Sequence, residues 1–158
     1  MDTNLEQARI DALAFLKHHR VGTVATVSAN REPHASTVFY VADDDFSIYF
    51  LTLINTRKYE ALSAHPQVAF TISVEDVPQT LQIEGMAVNI SLDDDAAAKK
   101  EELFAVLNSN PWSYAPVTKL DPAESAIIWI RPRWIRWADY AFAPYGTDHV
   151  FKQLPVAE

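Results

Sequence analysis

Two adjacent cations, Arg57 and Lys58, follow directly on Asn55 and Thr56, residue types that cap helices, and lead into an amphipathic turn with Tyr59 and Leu62. A helix that starts this way sets positive charge at the positive end of its own macrodipole. Each cation there costs a few tenths to about 1 kcal/mol. An anion held at that point reverses the sign, because the unpaired N–H groups of the first turn, the dipole and both side chains then act together. Phosphate is the simplest such anion. Standing alone, an Arg-Lys pair is equally an ordinary pair of solvated surface charges, so the surrounding elements decide.

Those elements read as a strand over 47–52, a turn, a short helix closed by His65-Pro66, and a strand over 67–73. Upstream, Thr3 and Glu6 form a capping pair, and Leu5, Ala8, Ala12, Phe15 and Leu16 an apolar stripe. They predict a helix over 4–18 that plugs one end of a β-structure. His18 and His19 at its end are read as surface residues. Runs rich in β-branched residues at 21–28 and 34–41, around a turn at 29–33, read as a hairpin. Asp43, Asp44 and Asp45 lack the spacing of a calcium loop and are expected as a solvated turn. Along 80–91, Leu81 and Ile83 point one way, and Met86, Val88 and Ile90 take the other parity, as at a bulge centred on Gly85 that turns a barrel corner.

Asp93, Asp94 and Asp95 open a helix with its body at 96–107 and an apolar face of Leu103, Phe104 and Leu107; there the acidic start suits the dipole. The contrast sharpens the oddity of Arg57 and Lys58. Pro111, Pro116 and Pro122 mark a loop over 108–122, with Trp112 and Tyr114 as packing anchors. A strand at 125–130 is expected to break at Arg131-Pro132 before another at 134–137, and the tail 138–158 has no clear period. The fold class expected is mainly β with helices (α+β), a six- to seven-stranded antiparallel barrel. It is expected as a single domain over 1–158.

Composition removes whole classes of function. The chain has no cysteine, so thiol nucleophiles, disulfides and cysteine-ligated metals are excluded. Three glycines leave no room for a Rossmann fingerprint or a P-loop. A phosphate-bearing cofactor would be held by side chains and a helix start instead. A net charge of -8 argues against a nucleic-acid surface. The acidic N-terminus and the want of a long apolar run predict a cytoplasmic protein without a membrane span. The five histidines lack ligand spacing, and neither a GxSxG elbow nor an HExxH pair is present, so neither a catalytic residue nor a metal site is assigned.

The stretch 47–73, with its strand ending in Leu51-Thr52, its turn and its Thr56-Arg57-Lys58 helix start, resembles the flavin-phosphate segment of the pyridoxamine 5'-phosphate oxidase-like split-barrel family. The resemblance runs roughly from Arg9 to Asp139. It implies a Greek-key split barrel, FMN as cofactor and a homodimer with the pocket between subunits. It sets the isoalloxazine ring along Ser36, Thr37, Val38 and Phe39, the ribityl chain beside Leu51 and Thr52, and the phosphate at Thr56, Arg57 and Lys58. Chemistry would then belong to the flavin ring, and the protein would act as an oxidoreductase on a small molecule.

Departures from the oxidases narrow that implication. Ser36 and Val41 stand where those enzymes carry an arginine and a lysine. Thr80 stands at the position of an expected glutamine, with Gln79 and Gln82 as neighbouring candidates, and the arginine-bearing tail is missing. Without those cations nothing complements a substrate phosphate, so oxidation of pyridoxamine phosphate is not expected. Three other readings stay open at this point. They are an F420-dependent reductase; a stress-related module holding flavin or haem without turnover, with His34 or His149 as axial ligand; and an empty barrel for protein association, with Trp134 and Trp137 as anchors.

Overall fold

A computed structural model describes residues 3–109 and 122–157. Three consecutive strands, β1 (Val21–Val27), β2 (Pro33–Ala42) and β3 (Ile48–Leu53), form an antiparallel meander. The helix α2 (Arg57–Ala64) then carries the chain back, so that β4 (Gln67–Ser73) lies beside β1, the Greek-key arrangement. The long β5 (Gln79–Asn89) and β6 (Ser125–Asp139) continue the sheet, and β6 closes it by pairing with β3 from Ile48↔Ile130 to Leu53↔Ser125. The result is a closed six-stranded antiparallel barrel.

Alternation fills its interior. Val24, Tyr40, Phe50, Phe70, Ile83 and Ile130 are all essentially inaccessible to solvent. The helix α1 (Thr3–His18) plugs one end through Ala12, Phe15 and Leu16, as its apolar stripe predicts. The Tyr40 hydroxyl donates to Leu16 O at 2.6 Å, which satisfies a phenol buried in an apolar core. The helix α3 (Ala96–Asn108) covers the outside of the barrel, with Leu103 and Leu107 against Leu51, Ile90 and Ile127.

Four expectations are corrected. Arg131-Pro132 does not break a strand: β6 runs through fifteen residues. The irregularity does fall at Gly85, since Glu84 pairs with Trp134 but Gly85 with Pro132. The extra residue is therefore Arg133 on β6, a bulge that tolerates a proline lacking its N–H. Core parity consequently flips in β6, from Pro132 to Ile135, and not in β5, where Ala87 stays with the core while Met86 and Val88 face outward.

The aspartate turn is not merely solvated, because Asp43 pairs with Lys99 at 2.5 Å and Asp44 with Lys17. The tail forms a 3₁₀ segment (Tyr140–Tyr145), a short α4 (Thr147–Val150) and β7 (Phe151–Leu154), an extra strand on β6 with Val150 and Leu154 buried. The expected loop residues Trp112 and Tyr114 lie outside the described residues.

Candidate functional site

The start of α2 is fixed from three sides. Thr56 is its N-cap: the hydroxyl accepts from Tyr59 N at 3.2 Å and donates to Leu53 O at 2.8 Å, joining the helix to the end of β3. Thr52, only 2% exposed, sets its own hydroxyl 3.2 Å from that of Thr56. Ile54 N donates to Glu124 O at 2.9 Å, which ties the intervening turn to the start of β6. The backbone N–H groups of Arg57 and Lys58 precede any intrahelical acceptor.

On this platform the two cations differ. Arg57 is exposed and rests its Nη2 3.2 Å from Nδ1 and 3.3 Å from Nε2 of His34, on β2. Lys58 is half-buried, its Nζ 5.7 Å from the centre of the Phe50 ring, and burial lowers its pKa below the ordinary 10.5. Among the described residues neither forms an ion pair. The acidic side chains of Glu32 and Glu60 line a neighbouring cavity of about 280 Å³ with Arg57 and His34 but stay beyond ion-pair distance. Two unpaired cations, one partly desolvated, at the positive end of a helix are an arrangement that an anion completes.

The other expected residues spread over two faces of the sheet. Val38 is buried in the barrel core, with Ser36 on the same face of β2. Thr37 is exposed on the opposite face, whereas Phe39 and Leu51 pack beneath α3. On β5, Thr80 is half-buried opposite Ala138. Gln79 donates its Nε2 to Asp139 Oδ2 at 2.8 Å, and Gln82 accepts at Oε1 from Arg136 Nε at 3.0 Å and from Arg136 Nη2. The structure thus brings together Thr52, Thr56, Arg57 and Lys58, whereas Thr37 and Gln82 share a cross-strand row with β1 and β4 between them.

Two residues enter the site that sequence reasoning placed otherwise or passed over. His34 touches Arg57, and Arg136 organises a second cavity, of about 420 Å³, with Gln82, Thr23, Thr71 and Trp134 among its walls. No sequence signal marks Arg136, because its partner lies 54 residues away on another strand. Trp137 is 3% exposed and meets Phe15 edge-on, so it is not an interface anchor; Trp134 is half-buried. His149 is exposed on α4 beside Tyr145. Among the described residues, no group of three or more potential ligands is placed to hold a metal, and no helix is long and apolar enough to cross a membrane.

Comparison with known proteins supplies the frame. A pyridoxine/pyridoxamine 5'-phosphate oxidase of Alcanivorax borkumensis is 26% identical over an alignment 158 positions long, which covers 90% of this chain and 75% of that protein. Among solved structures, a heme binding protein from Mycobacterium smegmatis superposes with a TM-score of 0.69 at 19% identity; the match takes in 97% of this chain but 58% of the mycobacterial one. A FAD-binding protein from Mesorhizobium loti gives a TM-score of 0.63 at 15% identity, over 80% of this chain and 90% of its own. These likenesses show a shared split-barrel fold. The family model described as pyridoxamine 5'-phosphate oxidase matches residues 10–137, from the middle of α1 to near the end of β6, and the chain belongs to that family.

Proposed function

We propose that the protein is an FMN-dependent oxidoreductase of the cytoplasm, acting on a small molecule as a homodimer. The observation that carries this reading is the pair Arg57 and Lys58 at the Thr56-capped start of α2, without a carboxylate partner among the described residues. Arg57, Lys58 and the two N–H groups of the first turn would hold a flavin phosphate there, and the buried Thr52 hydroxyl braces the cap. The flavin ring supplies hydride or electron transfer when bound. The chain's task is to hold and orient it and to exclude water.

Ser36 and Val41 offer no positive charge to a second phosphate, so the substrate is expected to lack one. The row Ala35, Ala25, Ala69 across β2, β1 and β4 leaves the outer sheet face small-sided, which supports close approach of a second copy. F420, with its longer acidic tail, is disfavoured by Glu32 and Glu60 beside Arg57. Haem is the second reading, favoured by the half-buried His34 at the same site.

Absorbance of the purified protein and its melting temperature with added FMN test the proposal. A flavin spectrum or an FMN-dependent rise in Tm is expected. A colourless protein indifferent to FMN overturns it, and a Soret band on adding haemin, lost in His34→Ala, moves the assignment to haem.

A further inference from the structure

A cavity of about 600 Å³ opens at the end of the barrel away from α2. β3 and β6 pair from Leu53↔Ser125, beside the start of α2, to Ile48↔Ile130, and the cavity lies at that far end, roughly 17 Å along the strands. Its walls divide in two. Trp129, Pro132, Val156 and Ala157 form an apolar side, and Asp45, Arg131 and Arg133 a charged one. The turn between β2 and β3 supplies the carboxylate, β6 the two guanidiniums and the indole, and the segment after β7 the small apolar side chains.

The bulge of β6 sets the arginines. Arg133 is its extra residue, without a partner on β5, and Arg131 and Arg133 stand exposed on either side of the buried Pro132. Among the described residues neither guanidinium forms an ion pair, and neither does Asp45. One buried residue fixes the carboxylate and the ring. Ser47 donates its N–H to Asp45 Oδ1 at 2.9 Å and accepts at Oγ from Trp129 Nε1 at 2.9 Å. Tyr49 stacks along the same indole, 6.4 Å between centres and 10° between planes. Carboxylate and indole are therefore ordered before any ligand arrives, which lowers the cost of binding one.

Such walls suit one class of small molecule. A guanidinium takes a carboxylate through two parallel hydrogen bonds, a carboxylate takes an ammonium, and an indole takes an apolar ring. A simple anion would face Asp45 and a simple cation would face both arginines, so a ligand bearing both charges is favoured. We propose that this cavity binds an amino-acid-like zwitterion with an aromatic side chain, its carboxylate on Arg131 and Arg133, its ammonium on Asp45 and its ring beside Trp129. The site is separate from the start of α2 and stands whether or not a flavin occupies that position.

L-phenylalanine is the probe, titrated by calorimetry and thermal melting. The comparison compounds are hydrocinnamate, which lacks the ammonium, phenethylamine, which lacks the carboxylate, and L-alanine, which lacks the ring. Wild-type protein is expected to bind L-phenylalanine saturably, at least about tenfold more tightly than each of the three. Arg131→Gln with Arg133→Gln is expected to weaken L-phenylalanine about tenfold or more and to abolish its advantage over phenethylamine. Asp45→Asn keeps an oxygen for Ser47 N and is expected to abolish the advantage over hydrocinnamate. All three positions are exposed, so ligand-free melting is expected to stay near wild type. Absence of saturable binding by the wild type, equal affinity for the four compounds, or an unaltered profile in either variant overturns the proposal.

Discussion

Arg57 lies against the imidazole of His34, with Nη2 3.2 Å from one ring nitrogen and 3.3 Å from the other. An imidazole brings no negative charge to the guanidinium and so does not satisfy Arg57 as a phosphate oxygen does, which is consistent with a side chain held ready for an anion.

Replacing both cations tests the grip. Arg57→Ala with Lys58→Ala is expected to weaken FMN binding by roughly 3 to 6 kcal/mol, two charge-assisted contacts at about 1.5 to 3 kcal/mol each. The cap on Thr56 uses neither side chain, so circular dichroism and the apo melting curve are expected to stay near wild type. Isothermal titration and thermal melting measure the two sides.

Lys58 alone sets a trade-off. Its charge is partly desolvated and unpaired, so Lys58→Met is expected to stabilise the ligand-free fold by up to about 1 kcal/mol, kept small by the solvent that still reaches it, while FMN affinity falls. Paired chemical denaturation and FMN titration of one variant check both signs.

Proton linkage follows from the same residue. Burial depresses the folded-state pKa of Lys58, so its charge is a penalty on the fold at low pH that is relieved as pH rises through the lowered value toward the ordinary 10.5. An anionic ligand needs that proton. FMN affinity is therefore expected to decline across the same alkaline window, and in Lys58→Arg, which does not deprotonate, the decline is expected to vanish.

Gly85 is required by its neighbour. A Cβ there would stand 2.3 Å from Arg131 O, a backbone atom that moves only if the bulge opposite moves with it. Gly85→Ala is expected to cost about 2 kcal/mol or more, seen as a lower denaturation midpoint.

Thr26 runs the other way. It is 2% exposed, and its hydroxyl has no hydrogen-bond partner among the described residues. Thr26→Val removes a buried orphan without changing shape and is expected to stabilise by about 1 kcal/mol, checked by urea denaturation.

The barrel was legible wherever one residue's type decides its local state. The stripe of α1, the hairpin of β1 and β2, and a cap at Asn55-Thr56, which the structure assigns to Thr56, follow from residue type and spacing. What escaped was decided by partners distant in sequence. Pro132 passes through β6 because the bulge opposite Gly85 removes the need for its N–H, a fact that neither segment contains by itself. Phe39 and Leu51 turn toward α3 because these strands are covered on both sides, and an apolar run has no parity to read. Gln79 and Gln82 look alike until Asp139 and Arg136 orient them.

The continuity of β6 also bears on how the molecule comes apart. Its first residues pair with β3 beneath the start of α2, and its later ones carry Arg136 and support β7. The start of α2 and the Arg136 cavity thus hang on one continuous strand, central to the sheet, whose exposure needs global rather than local opening. Hydrogen exchange at the amides of β6 is expected to report a single cooperative unit on both sides of its bulge, so the two regions should open together.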